Sequence, residues 1–396
     1  TEYGVGAATV SLLPFSALVG TTVGSFVWGA LADLYGRRAS ILLSSVMFIG
    51  TSICGAMPSF GWNVFMCFLM GAAAGGMLPV AYALLAELMP TKHRGWCLVL
   101  VGGIGAVGGY FAASALSAIL QPIFGWRIMW LLNLPTGLMM IALSPLLPES
   151  ARFLQHIGYE AEARAVLERF GTAVLVSEND SEEDVGGAPL PTGRPEYAGT
   201  TIALTLASVA WGLVNFGLLL WLPSELVAEG NSVGLSSAII AQSTLIAAPT
   251  ILFATYLYSR WSSKGALMTS VTITILGLVS VLLRSRGGIP LLDNPVVPLA
   301  LLIIGSTGVI SMLLPYAAEN YPVKIRGRAT GWIAGCSKLG GLIAQGLSAL
   351  ALVPAVGLAA GGIAVLSGIS LVLIGVFGRE TKGRDLRELE TLTERA

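Results

Sequence analysis

Charge is what this chain has least of: only 11% of its 396 residues are Asp, Glu, Lys or Arg. An ordinary soluble domain carries about 25%, so the chain lacks the ions needed to coat a water-facing surface. It also lacks any excess of one sign, with 22 basic and 22 acidic residues. That balance argues against nucleic acid as a partner, because a phosphate-binding face needs surplus Lys and Arg. Histidine is nearly absent: His93 and His156 are the only two, far apart, and no metal site is expected. The four cysteines (Cys54, Cys67, Cys97, Cys336) fall at unrelated spacings inside apolar stretches. They read as small buried hydrophobes and not as a disulfide or zinc framework. No nucleophile, base and orienting group cluster together, so no catalytic residues and no enzyme are expected.

What is abundant is hydrocarbon, with 55% hydrophobic residues. In lipid each backbone amide must be satisfied within its own segment, so long apolar runs are helices, and a span needs roughly 17 to 25 residues. Eleven such runs stand out: 9–34, 39–57, 63–86, 96–120, 128–147, 200–222, 236–258, 266–283, 296–318, 329–350 and 356–378. The 49 glycines lie mainly inside them. Two dense patches, Gly71/Gly75/Gly76 and Gly102/Gly103/Gly105/Gly108/Gly109, are expected to let helices pack closely.

Eighteen Lys and Arg residues fall in one set of loops and the C-terminal tail, against Arg127, Arg284 and Arg286 on the other side. The positive-inside rule therefore puts the tail and the central loop in the cytoplasm of a multi-pass cell-membrane protein. The expected organisation is an N-terminal bundle at 1–147, a cytoplasmic loop at 148–199, a six-helix bundle at 200–378 and a tail at 379–396. The loop opens on Pro148-Glu149-Ser150-Ala151-Arg152, continues as an amphipathic stretch from Ala161 to Phe170, and then reads as an acidic linker.

An internal repeat organises the whole. Ala86-Glu87-Leu88-Met89-Pro90-Thr91-Lys92-His93-Arg94-Gly95 recurs as Ala318-Glu319-Asn320-Tyr321-Pro322-Val323-Lys324-Ile325-Arg326-Gly327, six of ten positions being identical at an offset of 232. Pro148-Glu149-Ser150 and Arg379-Glu380-Thr381 match more loosely at an offset of 231. Copies with the same membrane orientation make a parallel repeat of two six-helix halves. The position equivalent to residue 200 falls before Thr1, so the first helix of the first half is expected to be missing.

Gly29-Ala30-Leu31-Ala32-Asp33-Leu34-Tyr35-Gly36-Arg37-Arg38 resembles the signature loop between helices two and three of the major facilitator superfamily. The Glu-x-x-Pro-x-x-x-Arg-Gly repeat, Pro148–Arg152 and Glu380-Thr381-Lys382-Gly383-Arg384 resemble its sugar-porter and organic-ion branches. Gly75-Gly76-Met77-Leu78-Pro79-Val80-Ala81-Tyr82 is similar to metabolite:proton symporters of the niacin-transporter and synaptic-vesicle-protein type. The resemblance implies an all-α membrane fold, nominally six plus six helices with eleven present, no cofactor, and coupling to protons. It departs at Cys67, where an Arg is common, and at Ser259–Gly265, where the second copy of the Asp-x-x-Gly-Arg-Arg loop keeps only its basic character.

Two groups of candidate residues follow. Asp33, Arg37 and Arg38 read as a latch that pairs charges and faces a helix N-terminus while the cytoplasmic side is closed. Glu87, Arg94, Glu149, Arg152, Glu319, Arg326 and Glu380 would form matching networks, and their presence in both halves assigns them to gating. Groups unique to one half are the substrate candidates. Lys338 stands about 15 Å into its span at the helical rise, where a lone ammonium costs about 3 kcal/mol unless it faces a wet cavity or a partner. Its repeat counterpart is Ala106, and Gln345 lies seven residues on, along the same face. An anchor for an anionic solute, a pair with a carboxylate on the absent helix, and snorkelling to an interface all remain open. Trp211, Asn215, Tyr82, Gln242 and Tyr316 are the expected cavity lining, whereas Trp221 suits an interfacial belt better.

The expected function is a secondary transporter of a small organic anion, acting as a monomer in the bilayer by alternating access. A sugar or organic-cation porter is the first rival. A non-transporting membrane receptor of the same fold is the remote one.

Overall fold

The computed structural model describes residues 3–89, 91–169, 195–287, 292, 294–321 and 323–381. Residues 170–194 of the expected linker and most of the tail lie outside them, and the linker's last five residues, 195–199, belong to the helix that begins at Pro195. Helix makes up 87% of the structure, and no strand occurs among the described residues. The fold is therefore the all-α membrane architecture that the hydropathy implied, because only helices close their own hydrogen bonds in hydrocarbon.

The first five principal helices are α1 (Leu12–Tyr35), α2 (Arg37–Gly50), α3 (Phe60–Leu88), α4 (Thr91–Phe124) and α5 (Asn133–Leu143). The amphipathic stretch of the central loop is α6 (Glu160–Arg169). Then come α7 (Pro195–Leu213), prolonged through a π-helical turn (Val214–Leu218) into Leu219–Ala228, and α8 (Val233–Ala247). Thr250–Tyr256 and a second π-helical turn, Leu257–Trp261, extend α8. The last four are α9 (Ser263–Arg286), α10 (Val296–Asn320), α11 (Val323–Ala349) and α12 (Val356–Phe377).

Ten helical stretches among the described residues are long and apolar enough to cross a bilayer. The eleventh expected span, 329–350, is helical as part of α11 but is not among the ten. Lys338 and Gln345 in its middle lower its hydropathy.

Two compact units emerge, and neither follows the repeat boundary. One joins Thr1–Leu98, Ile119–Glu178 and Gln345–Leu352; the other joins Val99–Ala118, Asn179–Ala344 and Val353–Ala396.

The first unit is built on the seam between α1 and α3. Backbone meets backbone there: a Cβ on Gly71 would collide with the Ala17 carbonyl oxygen, and one on Gly75 with that of Thr21. The Trp28 indole donates to the Ala72 carbonyl at 2.7 Å, and the Ser25 hydroxyl to that of Gly75 at 2.9 Å. Small residues permit this approach, and polar side chains then bond the exposed carbonyls. Trp28, Ile41, Val80, Leu84 and Leu88 close the core beside it.

The second glycine patch behaves differently. A Cβ built on Gly103 would come within 2.5 Å of the Ile251 side chain, but nothing lies within 4 Å of one built on Gly105, Gly108 or Gly109. The expectation that both patches form close seams therefore holds only for the first.

In the second unit, α9 packs on α10 and α12, and α7 packs on α12. Leu267, Leu278, Leu302, Met312 and Leu313 are fully buried in its cores. Helix α11 lies against α7 along another small-residue seam, where a Cβ on Gly340 would collide with the Val209 and Leu213 backbone and one on Gly217 would lie 2.7 Å from the Ala344 side chain.

Candidate functional site

Two sites emerge, one at the charged ends of the helices and one within the span of α7 and α11. At the charged end of the first unit, α1 stops at Gly36, whose φ of +97° is one an L side chain rarely adopts. The chain turns there and α2 starts at the next residue. The Glu149 carboxylate sits over that start. Its Oε1 accepts the backbone N–H of Arg37 at 2.8 Å and that of Arg38 at 3.3 Å, with a 3.2 Å contact from the Arg38 N–H to Oε2. A helix leaves its first N–H groups without intrahelical partners, and its dipole favours an anion there. Glu149 supplies both the acceptor and the charge from 112 residues away. The Arg37 guanidinium meanwhile turns back to the Ala32 carbonyl at 3.1 Å.

The second unit repeats the device. Glu380 accepts the backbone N–H of Ser263 at 2.9 Å and the hydroxyl of Ser262, at the first residues of α9. Beside it, Glu319 accepts the Tyr258 hydroxyl at 2.8 Å and the Thr381 hydroxyl at 2.6 Å. Lys264 donates to the Gly375 carbonyl at 2.7 Å. Glu149, Glu319 and Glu380 thus accept from helix-start N–H groups and from hydroxyls, contacts that the expected charge networks did not include. The side chains of Asp33, Glu87, Arg94, Arg152 and Arg326, which belong to the expected latch and charge networks, lie outside the described residues.

Within the span, the centre is α7. Its π-helical turn admits one extra residue into the helix, a feature often found at functional sites, and Asn215 stands in that turn. Asn215 is buried, its amide nitrogen donating to the Trp211 carbonyl at 3.2 Å and its oxygen accepting the Tyr110 hydroxyl at 3.2 Å. The sequence reading missed Tyr110; the available signal was a single aromatic hydroxyl directly after Gly108-Gly109. The Trp211 indole is already bonded to the Ser306 carbonyl at 2.9 Å. The Trp221 indole nitrogen is buried with no hydrogen-bond partner among the described residues, which sets it apart from a wet interfacial belt residue. Its ring lies 3.8 Å from the Gly217 site that faces Ala344 of α11.

Helix α11 presents three faces. Ile333, Cys336, Ser337, Gly340 and Ala344 are buried, whereas Trp332, Leu339 and Ile343 are exposed and apolar, as lipid contact requires. Lys338 falls on neither face. It is half-buried, shares its side of the helix with Gly331 and Gly335, and nothing lies within 4 Å of a Cβ built on either glycine. Lys338 has no ion pair and no hydrogen bond among the described residues.

The remaining candidates are scattered. Gln345 is buried farther along α11, Tyr82 is half-buried on α3 and Gln242 is exposed on α8. Tyr316 is fully buried and donates to the Arg379 carbonyl at 2.7 Å, so its hydroxyl belongs to the charged-end cluster and not to a cavity wall. No group of three or more His, Cys, Asp or Glu side chains that would hold a metal occurs among the described residues.

The chain is 27% identical to the niacin transporter NiaP of Acinetobacter baylyi, over 82% of this chain and 74% of that one. It is 28% identical to the synaptic vesicle 2-related protein of Pongo abelii, over 98% and 74%. Among solved structures it superimposes on the proton:xylose symporter XylE of E. coli with a TM-score of 0.76 at 20% identity, covering 99% of this chain and 91% of that one. Apolar spans, paired motifs and helix arrangement agree with the family profile, which matches residues 1–345: this chain belongs to the Major Facilitator Superfamily and is a multi-pass membrane transporter of small solutes, not an enzyme.

Proposed function

We propose that the cargo is a small organic anion, a carboxylate, moved across the cell membrane by a monomer through alternating access and driven by a proton gradient. The two working halves are residues 1–147 and 200–378, joined by a cytoplasmic loop, with the tail also cytoplasmic.

Lys338 carries the reading. A charged ammonium near mid-span costs about 3 kcal/mol, and no carboxylate among the described residues offsets it. Nothing lies within 4 Å of a Cβ built on Gly331 or Gly335, which share its side of α11, and the exposed apolar residues Trp332, Leu339 and Ile343 lie on another side. A bound carboxylate would neutralise the charge and form a charge-assisted hydrogen bond. The Trp221 indole N–H, without a hydrogen-bond partner among the described residues, and the second amide proton of Asn215 are further donors on α7 and its continuation, against which α11 packs. Niacin, named for one relative, is an aromatic carboxylate whose charge an ammonium complements.

Uptake into proteoliposomes holding the full-length protein tests the proposal, with niacin, other monocarboxylates and xylose compared under an imposed pH gradient. Carboxylate uptake that Lys338→Ala abolishes and Lys338→Arg partly keeps is the expected result. Equal uptake by Lys338→Ala and wild type sinks the anion anchor. The rival sugar reading draws on the amide and hydroxyl pair at Asn215 and Tyr110; xylose uptake unaffected by Lys338→Ala would establish it.

A further inference from the structure

The spacing of the four cysteines gives no reason to pair any of them, yet the fold brings Cys54 and Cys67 together. Cys54 lies in the 3-10 turn Thr51–Ala56 that continues α2, and Cys67 lies on α3. The Cys54 thiol donates to Asn63 Oδ1 at 3.1 Å. Asn63 and Cys67 are four residues apart on one helix, so their side chains leave the same face of α3 on successive turns, about 5–6 Å apart at Cβ. Cys54 Sγ is thus held against the turn that carries Cys67, and the two thiols are close enough to interact directly. Asn63 is itself fixed: its amide nitrogen donates to the Tyr3 hydroxyl at 2.7 Å, and that hydroxyl donates to the Met57 carbonyl at 2.9 Å.

The stretch Arg37–Ala56, long and apolar enough to cross the bilayer, begins at the basic pair Arg37–Arg38 and ends two residues beyond Cys54. Pro58 and Ser59, which follow, are exposed. Cys54 therefore sits at the end of the span remote from the basic loop, the end that the positive-inside rule places outside the cell. Thiols on that side meet oxidants, whereas cytosolic thiols are kept reduced.

We propose that Cys54 and Cys67 are a redox pair, closed to a disulfide by a small external disulfide and reopened by thiols. The Cys54 thiolate, nearer the aqueous end, attacks one sulfur of the oxidant and expels the other half as a thiol. The Cys67 thiolate then attacks Cys54 Sγ, and the second half leaves. The two protons given up by the cysteines end on the two released thiols, and the two electrons reduce the oxidant. Both side chains are buried, so the reaction proceeds when the 3-10 turn opens, an element with poorer hydrogen-bond geometry than the helices beside it. The bond staples the outer end of α2 to α3. It is independent of the cargo, and it makes this end of the first unit responsive to the redox state outside.

The test is incubation of the purified full-length protein in detergent with oxidised glutathione, then denaturation, maleimide labelling and peptide mapping. Two fewer thiols should label than in the reduced protein, and a peptide joining Cys54 to Cys67 should appear that dithiothreitol separates. The oxidised protein should melt a few degrees above the reduced one, because a cross-link restricts the unfolded chain. Cys67→Ser should show neither the joined peptide nor the shift. An unchanged thiol count, a glutathione adduct left on Cys54 or Cys67, or a joined peptide that contains Cys97 or Cys336 in place of either overturns the proposal. Equal melting of the oxidised and reduced proteins overturns the staple. Should Cys67→Ser fail to fold, thiol counting and peptide mapping on the wild-type chain decide alone.

Discussion

Glu149 holds the start of α2 by its backbone: its Oε1 accepts the Arg37 N–H at 2.8 Å while the Arg37 guanidinium turns back to Ala32. A carboxylate in this position works through shape and charge together. Removing it leaves two N–H groups and a helix dipole without their acceptor.

Glu149→Gln keeps one acceptor oxygen and loses the charge; Glu149→Ala loses both. The expected loss of stability is about 1 kcal/mol for the amide and about 2 kcal/mol for alanine. A lower melting temperature in detergent, graded in that order, checks it. Glutamine and alanine behaving alike would show that the charge, and not the acceptor, carries the effect.

Gly36→Ala combines two penalties. The residue holds φ at +97°, and a Cβ would lie 2.6 Å from Glu149 Oε2. The expected cost is about 2 kcal/mol or more, and it should shrink in the Glu149→Ala background, where the carboxylate clash is gone and only the close contact with Phe153 is left. A double-mutant cycle on melting temperature measures that coupling.

Gly75→Ala and Gly105→Ala form a matched pair. The first places a methyl against the Thr21 backbone and forces α1 from α3, at a cost of about 1–3 kcal/mol; the second meets nothing within 4 Å. Size-exclusion profiles and melting curves should show loss for the first and wild-type behaviour for the second.

Tyr110→Phe removes the hydroxyl that bonds Asn215 without changing ring volume. The Asn215 oxygen is buried, so leaving it unpaired costs about 1–3 kcal/mol. Cargo affinity measured by a binding-induced shift in melting temperature should change in Tyr110→Phe and in Asn215→Ala. The effects should be less than additive if the pair acts as a unit.

The motif glutamates show where a sequence reading reaches and where it stops. Glu149 and Glu380 were legible as paired, because the repeat offset matched them. Their acceptor role was not, since a backbone N–H leaves no trace in residue identity and the partner lies 112 residues away for Glu149 and 117 for Glu380. Tyr316 read as cavity lining because it lies in an apolar span. Its burial against Arg379 depends on where the chain emerges after α12. Trp221 read as a belt residue from its place near a span end, and only the packing around Gly217 leaves its N–H enclosed.

The amino-acid sequence alone determined that this protein lives in a membrane, that its helices come in two related sets, and that one lysine stands unaccompanied in a span. Each of these is a sum or a comparison along the chain, and the exclusion of water from hydrocarbon turns such sums directly into structure. Tertiary structure decided which glycine patch packs and which lies open, what Glu149 grips, and which face of α11 carries Lys338. Those depend on neighbours brought from far along the chain, and identical residues meet opposite fates according to whether a backbone or empty space lies opposite.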